Sequence, residues 1–587
     1  MRRIVSFIIL LVVLGQSAWA VPAWRRWKQF RQSDGTQITV QLQGDERAHW
    51  FVTTDMKVVA RADNGDFRYV AMAGDSSVGF ALSEVRAHDE AGRSDAERAF
   101  VARQALAPAD YRQAMERNGS VRPPRISSPK APRRAKYEGK RRGLFILVEF
   151  QDVKFSRQDI HQVYDSICNH SGYSTPPFQG SVGDYFREQS DGKFELDFDV
   201  VGPVTVSENE SYYGSNGSWN KDSDLGTMVT EALNLVADSV NWADYDWNGD
   251  GEADQVFLLY AGYGEAQYGP SWTIWPCEGK LSWLHDTPPV FDGVTVNTFA
   301  CSCELHGNKG TQLDGIGTIC HEFSHCMGLP DFYNTADMDD FCMDVMDLMD
   351  QGTYNGKGGY SPAAYTGYER WYCGWRTPVV LTEPQKIEAW QPLVSGGETY
   401  ILYNQADSTE YYLLDNRQRV GFDQGLYATG MVVTHVHYDA DAWAENTVNT
   451  KKGHKRMALL PADDIYDYKT CNTDAFPYYY LNGQRCLDSL TDNTHPRTTL
   501  YVKNADGTYK LGKPIYKIAK NEDKTMDFVF GYNPVSTGIK ETPLETAERR
   551  DDYIYDLEGR RILLDKDQLR RGIYIVNGKK IIINGHE

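Results

Sequence analysis

The stretch Ile319-Cys320-His321-Glu322-Phe323-Ser324-His325-Cys326-Met327-Gly328-Leu329-Pro330-Asp331 decides how the rest of this chain is read. As a helix it puts His321 and His325 four apart, one above the other on one face, where two imidazoles can share a metal ion. Ile316, Ile319, Phe323 and Met327 fall on the opposite face. The spacing predicts a helix with an apolar back in the core and a ligand-bearing front on a cleft. Gly328 supplies the left-handed turn that ends it, Pro330 prevents its resumption, and the reversed chain can return Asp331 toward the imidazoles.

Three protein ligands with a fourth position left for water is the arrangement of a catalytic zinc site, whereas structural sites use four and favour Cys. Glu322, about 100° around the helix from His321, can reach that water without ligating the metal. Zinc lowers the pKa of the water, and Glu322 would take its proton and pass it to a departing amine. A bare His-Glu-x-x-His also reads as a charged helix face, but the Gly and Asp at fixed offsets weigh against that. Cys320 and Cys326 flank the motif, and Cys320, near the apolar side, reads as packing and not as a ligand.

Further on, Asp347-Leu348-Met349-Asp350-Gln351-Gly352-Thr353-Tyr354-Asn355 sets a Met before a Gly-containing turn, as in zinc peptidases whose Met-turn underlies the ligands. Met349 could equally be an ordinary core residue, and Met346 competes for the role. Tyr354 has two readings, a hydrogen-bond donor to a transition-state oxyanion or a packing residue.

Three pieces together resemble the immune inhibitor A family of secreted zinc endopeptidases: His321-Glu322-x-x-His325-x-x-Gly328-x-x-Asp331, Leu348 to Asn355, and Glu369-Arg370-Trp371-Tyr372-Cys373-Gly374-Trp375. The resemblance extends over roughly residues 21 to 470, and Glu410 to Arg417 is similar too. It implies a zincin-like catalytic domain with an active-site helix and Met-turn, made with a signal peptide and a removable prosegment. Carried over by position, His321, His325 and Asp331 match the zinc ligands and Glu322 the catalytic residue. Asp331 depends on loop geometry, not on helical spacing.

A chain of 587 residues should hold three or four domains with ample core. The net charge of -20 argues against nucleic acid as the main partner and for a soluble, extracellular enzyme. The resemblance implies protein or peptide substrates, and we expect a monomer. Ten cysteines occur, the first at Cys168; Cys471 with Cys486, or Cys301 and Cys303 with distant partners, are candidate disulfides.

Residues 1–20 carry Arg2 and Arg3, an apolar run Ile4 to Leu14, and Ala18-Trp19-Ala20. This predicts a secretory signal, the run being too short to span a membrane, and no later stretch suggests a transmembrane anchor. Residues 21–116 alternate like strands around Gln37 to Leu42 and predict a helix from about Asp95 to Leu106. Trp24 to Gln29 followed by Gly44-Asp45-Glu46 resembles prosegments of the same family; a small binding domain is the other reading. Residues 117–142 hold ten Lys or Arg residues with Pro123, Pro124, Pro129 and Pro132, a segment that stays extended and open to trypsin-like cleavage at Arg133-Arg134 or Lys140-Arg141-Arg142. No Cys lies before this linker, so latency would rest on some other group or on steric cover.

Residues 143–376 should form an α+β catalytic domain. Leu144 to Phe150 reads as a buried strand, Ser181 to Phe194 as a helix and turn, Glu195 to Val201 as a strand and Leu225 to Val236 as an amphipathic helix. Gln255 to Tyr260 and Val294 to Cys301 read as strands, and Ser361 and Pro362 as the start of a helix carrying Tyr365, Tyr368, Trp371 and Tyr372. Asp246, Asn248, Asp250, Glu252 (by its carbonyl) and Asp254 match the first part of a structural calcium loop, although Phe257 stands where a bidentate Glu belongs. A solvated Asp/Gly turn is the other reading.

Residues 377–530 predict a β-rich, sandwich-like domain, in which His435 and His437 share a strand face. Residues 531–587 form a β module similar to C-terminal modules of Bacteroidetes secreted proteins, some of which engage secretion machinery; that suggests a Gram-negative surface or extracellular location. The leading functional expectation is a zinc endopeptidase. The alternatives are a catalytically silent surface adhesin, against which Glu322 speaks, and a zinc amidase acting on peptidoglycan.

Overall fold

The apolar run beginning at Leu144 becomes an interior strand of a six-stranded sheet buried on both faces. The computed structural model describes residues 19–46, 48–62, 64–72, 80–117, 137–217, 220–222, 224–284, 287–481 and 483–534, with the strands at 554–555, 561–562, 572–576 and 579–583. Most of the expected signal segment and the linker from 118 to 136, with Arg133-Arg134, lie outside the described residues.

The central sheet is built from β1 (Trp19–Ala20), β2 (Gly139–Glu149), β3 (Phe194–Thr205), β4 (Val256–Tyr263), β5 (Cys277–Lys280) and β6 (Thr298–Leu305), in the order β1-β5-β6-β4-β2-β3. β3, β2, β4 and β6 run parallel, and β5 and then β1 are antiparallel at one end. Alternation sorts the side chains of β2 and β4 into two cores. Phe145, Leu147, Phe257 and Leu259 join one, while Leu144, Ile146, Val148, Val256 and Leu258 join the other.

Four helices cover this sheet: α1 (Ile160–Asn169), α2 (Val182–Gln189), α3 (Leu225–Val236) and α4 (Ile316–Cys326). α2 begins where Ser181 and Asp184 form a capping box, as Ser at the cap position favours. Its Phe186 ring stands 4.9 Å from Phe323 of α4, and Phe198 of β3 stands 5.8 Å from the same ring. The apolar back foreseen for α4 is therefore buried, with Ile316, Ile319, Cys320, Phe323 and Met327 in one core. α3 packs on the other face through Leu225, Met228, Val229, Ala232, Leu233 and Val236.

Two sequence expectations change here. Residues 361–365 are not helical, because tertiary partners take their polar groups: Ser361 Oγ donates to the Phe422 carbonyl, and the amides of Ala363, Ala364 and Tyr365 donate to Gly352, Asp423 and Gln189. The helix starts later as α5 (Gly367–Tyr372), capped by Thr366 with Glu369. Val294 to Cys301 is likewise not one strand but Val294–Thr295 followed by β6. In addition, Lys140-Arg141-Arg142 lie within β2, paired to Glu195, Leu196 and Asp197 of β3.

Residues 28–86 form a six-stranded antiparallel meander, followed by the helices Asp95–Arg103 and Pro108–Arg117. The first of these helices ends before Leu106 because Leu106 is drawn into the sheet, its amide donating to Val70 and its carbonyl accepting from Val58. After α5, a five-stranded sheet contains β7 (Tyr400–Tyr403), β8 (Glu410–Arg417), β9 (Gly430–His437) and β10 (Met457–Leu459). Ile401, Leu413, Val432 and Val436 pack into the core beneath α4, and Leu402, Leu414, Met431 and Val433 face a separate core with Phe528 and Phe530. Residues up to Asn533 thus make one compact unit. Pro534–Glu587 is a second unit, with its strand pieces in one antiparallel sheet. Among the described residues, no helix is long and apolar enough to cross a membrane.

Candidate metal centre and cleft

α4 presents His321 and His325 on its front, completely enclosed, with their Nε2 atoms 3.1 Å apart. The other ring nitrogen of each is fixed by a backbone carbonyl: Nδ1 of His321 lies 2.8 Å from Leu348 O, and Nδ1 of His325 2.7 Å from Leu329 O. A proton held at Nδ1 leaves the Nε2 lone pair pointing at the shared point. The turn containing Met349 supplies the first of these carbonyls. Met349 itself is buried, its amide held by Asp347 Oδ1 and its carbonyl accepting from Phe332.

Gly328, at φ +87°, reverses the chain as foreseen, and Asp331 returns with Oδ1 at 3.2 Å and 3.4 Å from the two Nε2 atoms. Burial alone would raise the Asp331 pKa, but His325 and His321 opposite bring it well below the usual carboxylate range. Burial holds His321 below its ordinary value. Among the described residues, this trio presents its ligand atoms within 4.8 Å of one another. Asp331 Oδ1 is buried without a hydrogen-bond partner, and two imidazoles with one carboxylate is a donor set that suits zinc.

One partner of the trio had no signal in the sequence. Asn446, at φ +51° in the segment after β9, donates from Nδ2 to Asp331 Oδ2 at 2.6 Å and accepts the Asp331 amide at 2.7 Å. It lies 115 residues from Asp331, a separation no local pattern can bridge.

Glu322 sits on the same helix and is fully buried; burial, and then Asp331, push its pKa well above the usual range. Its Oε1 accepts the amide of Val21 at 2.8 Å. The N-terminal segment in fact runs through the cleft. Trp19 and Ala20 pair antiparallel with Glu278 and Cys277 of β5. Beyond them, the Val21 carbonyl accepts from Trp275 Nε1, that of Pro22 from the Tyr354 hydroxyl at 2.7 Å, and that of Ala23 from Gln351 Nε2. Val21 and Ala23 are fully enclosed. Tyr354, read from the sequence either as an oxyanion donor or as a packing residue, faces the cleft with its hydroxyl bound to a peptide carbonyl.

The residues of the expected calcium loop bond within the loop itself. Asp246 accepts the amides of Gly249, Asp250 and Gly251, Asn248 and Asp250 bond within the loop, and Asp254 accepts the Trp247 amide. Glu252 bridges to Thr295 through its backbone. These acids do not gather into a set of three with convergent oxygens. His435 is engaged by Glu410 at 3.0 Å and His437 by His454 at 2.9 Å.

Comparison with known proteins agrees with this geometry. Residues 134–377 match the immune inhibitor A peptidase M6 catalytic domain. The Pre-pro-metalloprotease PrtV of Vibrio cholerae serotype O1 is 26% identical over 249 residues, covering 38% of this chain and 27% of that protein. Immune inhibitor A of Bacillus thuringiensis subsp. alesti is 25% identical over 290 residues, covering 40% of this chain and 41% of that protein. The alignments thus span less than half the length of either relative. Over the matched stretch this chain is similar to the catalytic domain of immune inhibitor A peptidases, and His321, Glu322, His325 and Asp331 all fall inside it.

Proposed function

We propose that the chain is a secreted, zinc-dependent endopeptidase made as a zymogen, with His321, His325 and Asp331 holding the metal and Glu322 moving the proton. The observation that carries this reading is the peptide in the cleft. An extended backbone lies antiparallel to β5 and delivers an amide N–H to Glu322, which is how a polypeptide substrate would present its scissile bond. Such strand pairing suits an extended protein substrate better than a branched peptidoglycan cross-link.

Zinc bound by the trio would supply Lewis acidity, lowering a water pKa and polarising the carbonyl under attack. Glu322 would accept the water's proton at a carboxylate oxygen and return it to the leaving nitrogen, the atom whose place Val21 N now takes. Trp275, Tyr354 and Gln351 would hold the carbonyls on the leaving side.

On this reading residues 21–116 are the prosegment, and latency follows from occupancy of the cleft. Signal removal after Ala20 would leave Val21 as the first residue, with its amino group against Glu322. Activation would then require cutting the linker, at Arg133-Arg134 or at Lys140-Arg141-Arg142. Calcium at Asp246–Asp254 and secretion through the C-terminal module are lesser parts of the proposal. The former is tested by whether excess EGTA lowers the melting temperature, the latter by deleting residues 534–587.

The experiment that tests the whole compares activated wild type with Glu322→Ala for bound zinc and casein hydrolysis. We expect zinc retained and turnover lost by several orders of magnitude, since the general acid/base is gone. Equal hydrolysis by the two would overturn the mechanism.

A further inference from the structure

Cys277 and Cys301 face each other directly across the antiparallel pair β5–β6, with their Sγ atoms 3.8 Å apart. Directly opposed residues on antiparallel strands have Cα atoms about 4.5–5.5 Å apart, inside the roughly 4.4–6.8 Å window of a disulfide. Both thiols are enclosed in the core behind the cleft, at 2% and 0% exposure. They also occupy a consequential place. Cys277 is the residue of β5 that pairs with Ala20, and apart from the two residues of β1, β5 is the edge of the sheet.

We propose that Cys277 and Cys301 are a disulfide site, closing into a cross-strand bond that ties the peptide-docking strand β5 to β6. A small-molecule disulfide serves as oxidant. One cysteine attacks it as a thiolate, forming a mixed disulfide and releasing one thiol; the second cysteine then displaces the other. Two protons and two electrons leave the pair, two thiols form from the oxidant, and one sulfur–sulfur bond replaces another. Burial raises the barrier to attack in the closed protein, so oxidation belongs to the folding chain or to moments when the edge strand lifts. The bond itself goes beyond the peptidase reading; only the oxidising surroundings rest on the proposal that the chain is secreted.

The test uses the full chain, refolded with oxidised glutathione, then denatured in iodoacetamide and digested without reductant. The expected product is one species joining the Cys277 and Cys301 peptides, lighter than their sum by two hydrogens. Dithiothreitol should then lower the melting temperature of the oxidised protein by a few degrees, with no such change in a Cys277→Ser/Cys301→Ser chain. Recovery of both cysteines carbamidomethylated, capped by glutathione, or joined to other cysteines such as Cys303 would overturn the proposal, as would a melting temperature indifferent to reduction.

Discussion

Asn446 grips Asp331 from both sides, its amide nitrogen on the carboxylate at 2.6 Å and its amide oxygen on the backbone N–H at 2.7 Å. The grip comes from the segment after β9, so the β-rich part of the chain completes the candidate metal centre. We expect Asn446→Ala to weaken zinc binding about 10–100-fold, the usual cost of losing a group that orients a ligand. A chelator competition titration on the folded variant measures this, and unchanged affinity would show that Asp331 holds its position unaided.

Arg417 extends the same dependence to stability. Its guanidinium is fully buried, with Nε and Nη2 donating to Asp423 at 2.7 Å, Nη2 donating also to the Ala364 carbonyl, and Nη1 donating to the Met346 carbonyl. It thereby fastens β8 to the loop before Met349. Arg417→Ala should cost about 3–5 kcal/mol because it strands the Asp423 charge in the interior. Denaturant unfolding gives the number, and the double variant Arg417→Ala/Asp423→Asn should recover part of the loss. A loss under about 1 kcal/mol, the range of an exposed ion pair, would contradict this account.

The helix, its two histidines and the returning Asp331 were legible in the sequence because each rests on a local rule: a four-residue repeat, a glycine turn, a proline stop. The buried strands at Leu144 and Gln255 were legible for the same reason, as short apolar runs of strand length. Asn446, Trp275 and the partners of residues 361–365 were not, since each acts through contacts with residues far off in sequence. Ser361 and Pro362 have the chemistry of a helix start, yet Phe422, Asp423 and Gln189 take the polar groups a helix would have used. Nor could spacing reveal that Val21 meets Glu322 across 301 residues.

The hold of the N-terminal layer on the cleft should depend on pH through His49. This residue lies 3.0 Å from Glu265, stacks on Trp275 at 4.5 Å and meets the Asp45 carbonyl at Nδ1. Burial pushes its pKa down, but Glu265, with help from Asp45, more than offsets that and the net shift is upward from 6.5. A raised value means the contact contributes fully below the ordinary histidine pKa and is lost as pH rises through the shifted one. Once the linker is cut, residues 21–116 should therefore dissociate faster at alkaline than at acidic pH. Gel filtration of the cleaved protein across that range measures it, and His49→Gln should flatten the dependence. An identical profile for the variant would place the titrating group elsewhere.

Tyr354 offers a choice that kinetics can decide. Its hydroxyl donates to the carbonyl of Pro22, whereas the amide against Glu322 belongs to Val21. If Val21 N stands where the leaving nitrogen goes, the carbonyl under attack belongs to Ala20, and Tyr354 binds two carbonyls further along. That makes it a positioning residue on the leaving side, not a donor to the developing oxyanion. Tyr354→Phe should then raise KM several-fold with kcat nearly unchanged, the loss of about 1 kcal/mol of binding that ground and transition states share. A donor to the oxyanion would instead cost about 10²–10³ in kcat. The same variant should release the cut N-terminal layer more readily, since the hydrogen bond to Pro22 goes with the hydroxyl. A fall in kcat with KM constant would return Tyr354 to the oxyanion and shift the expected register of the bound peptide.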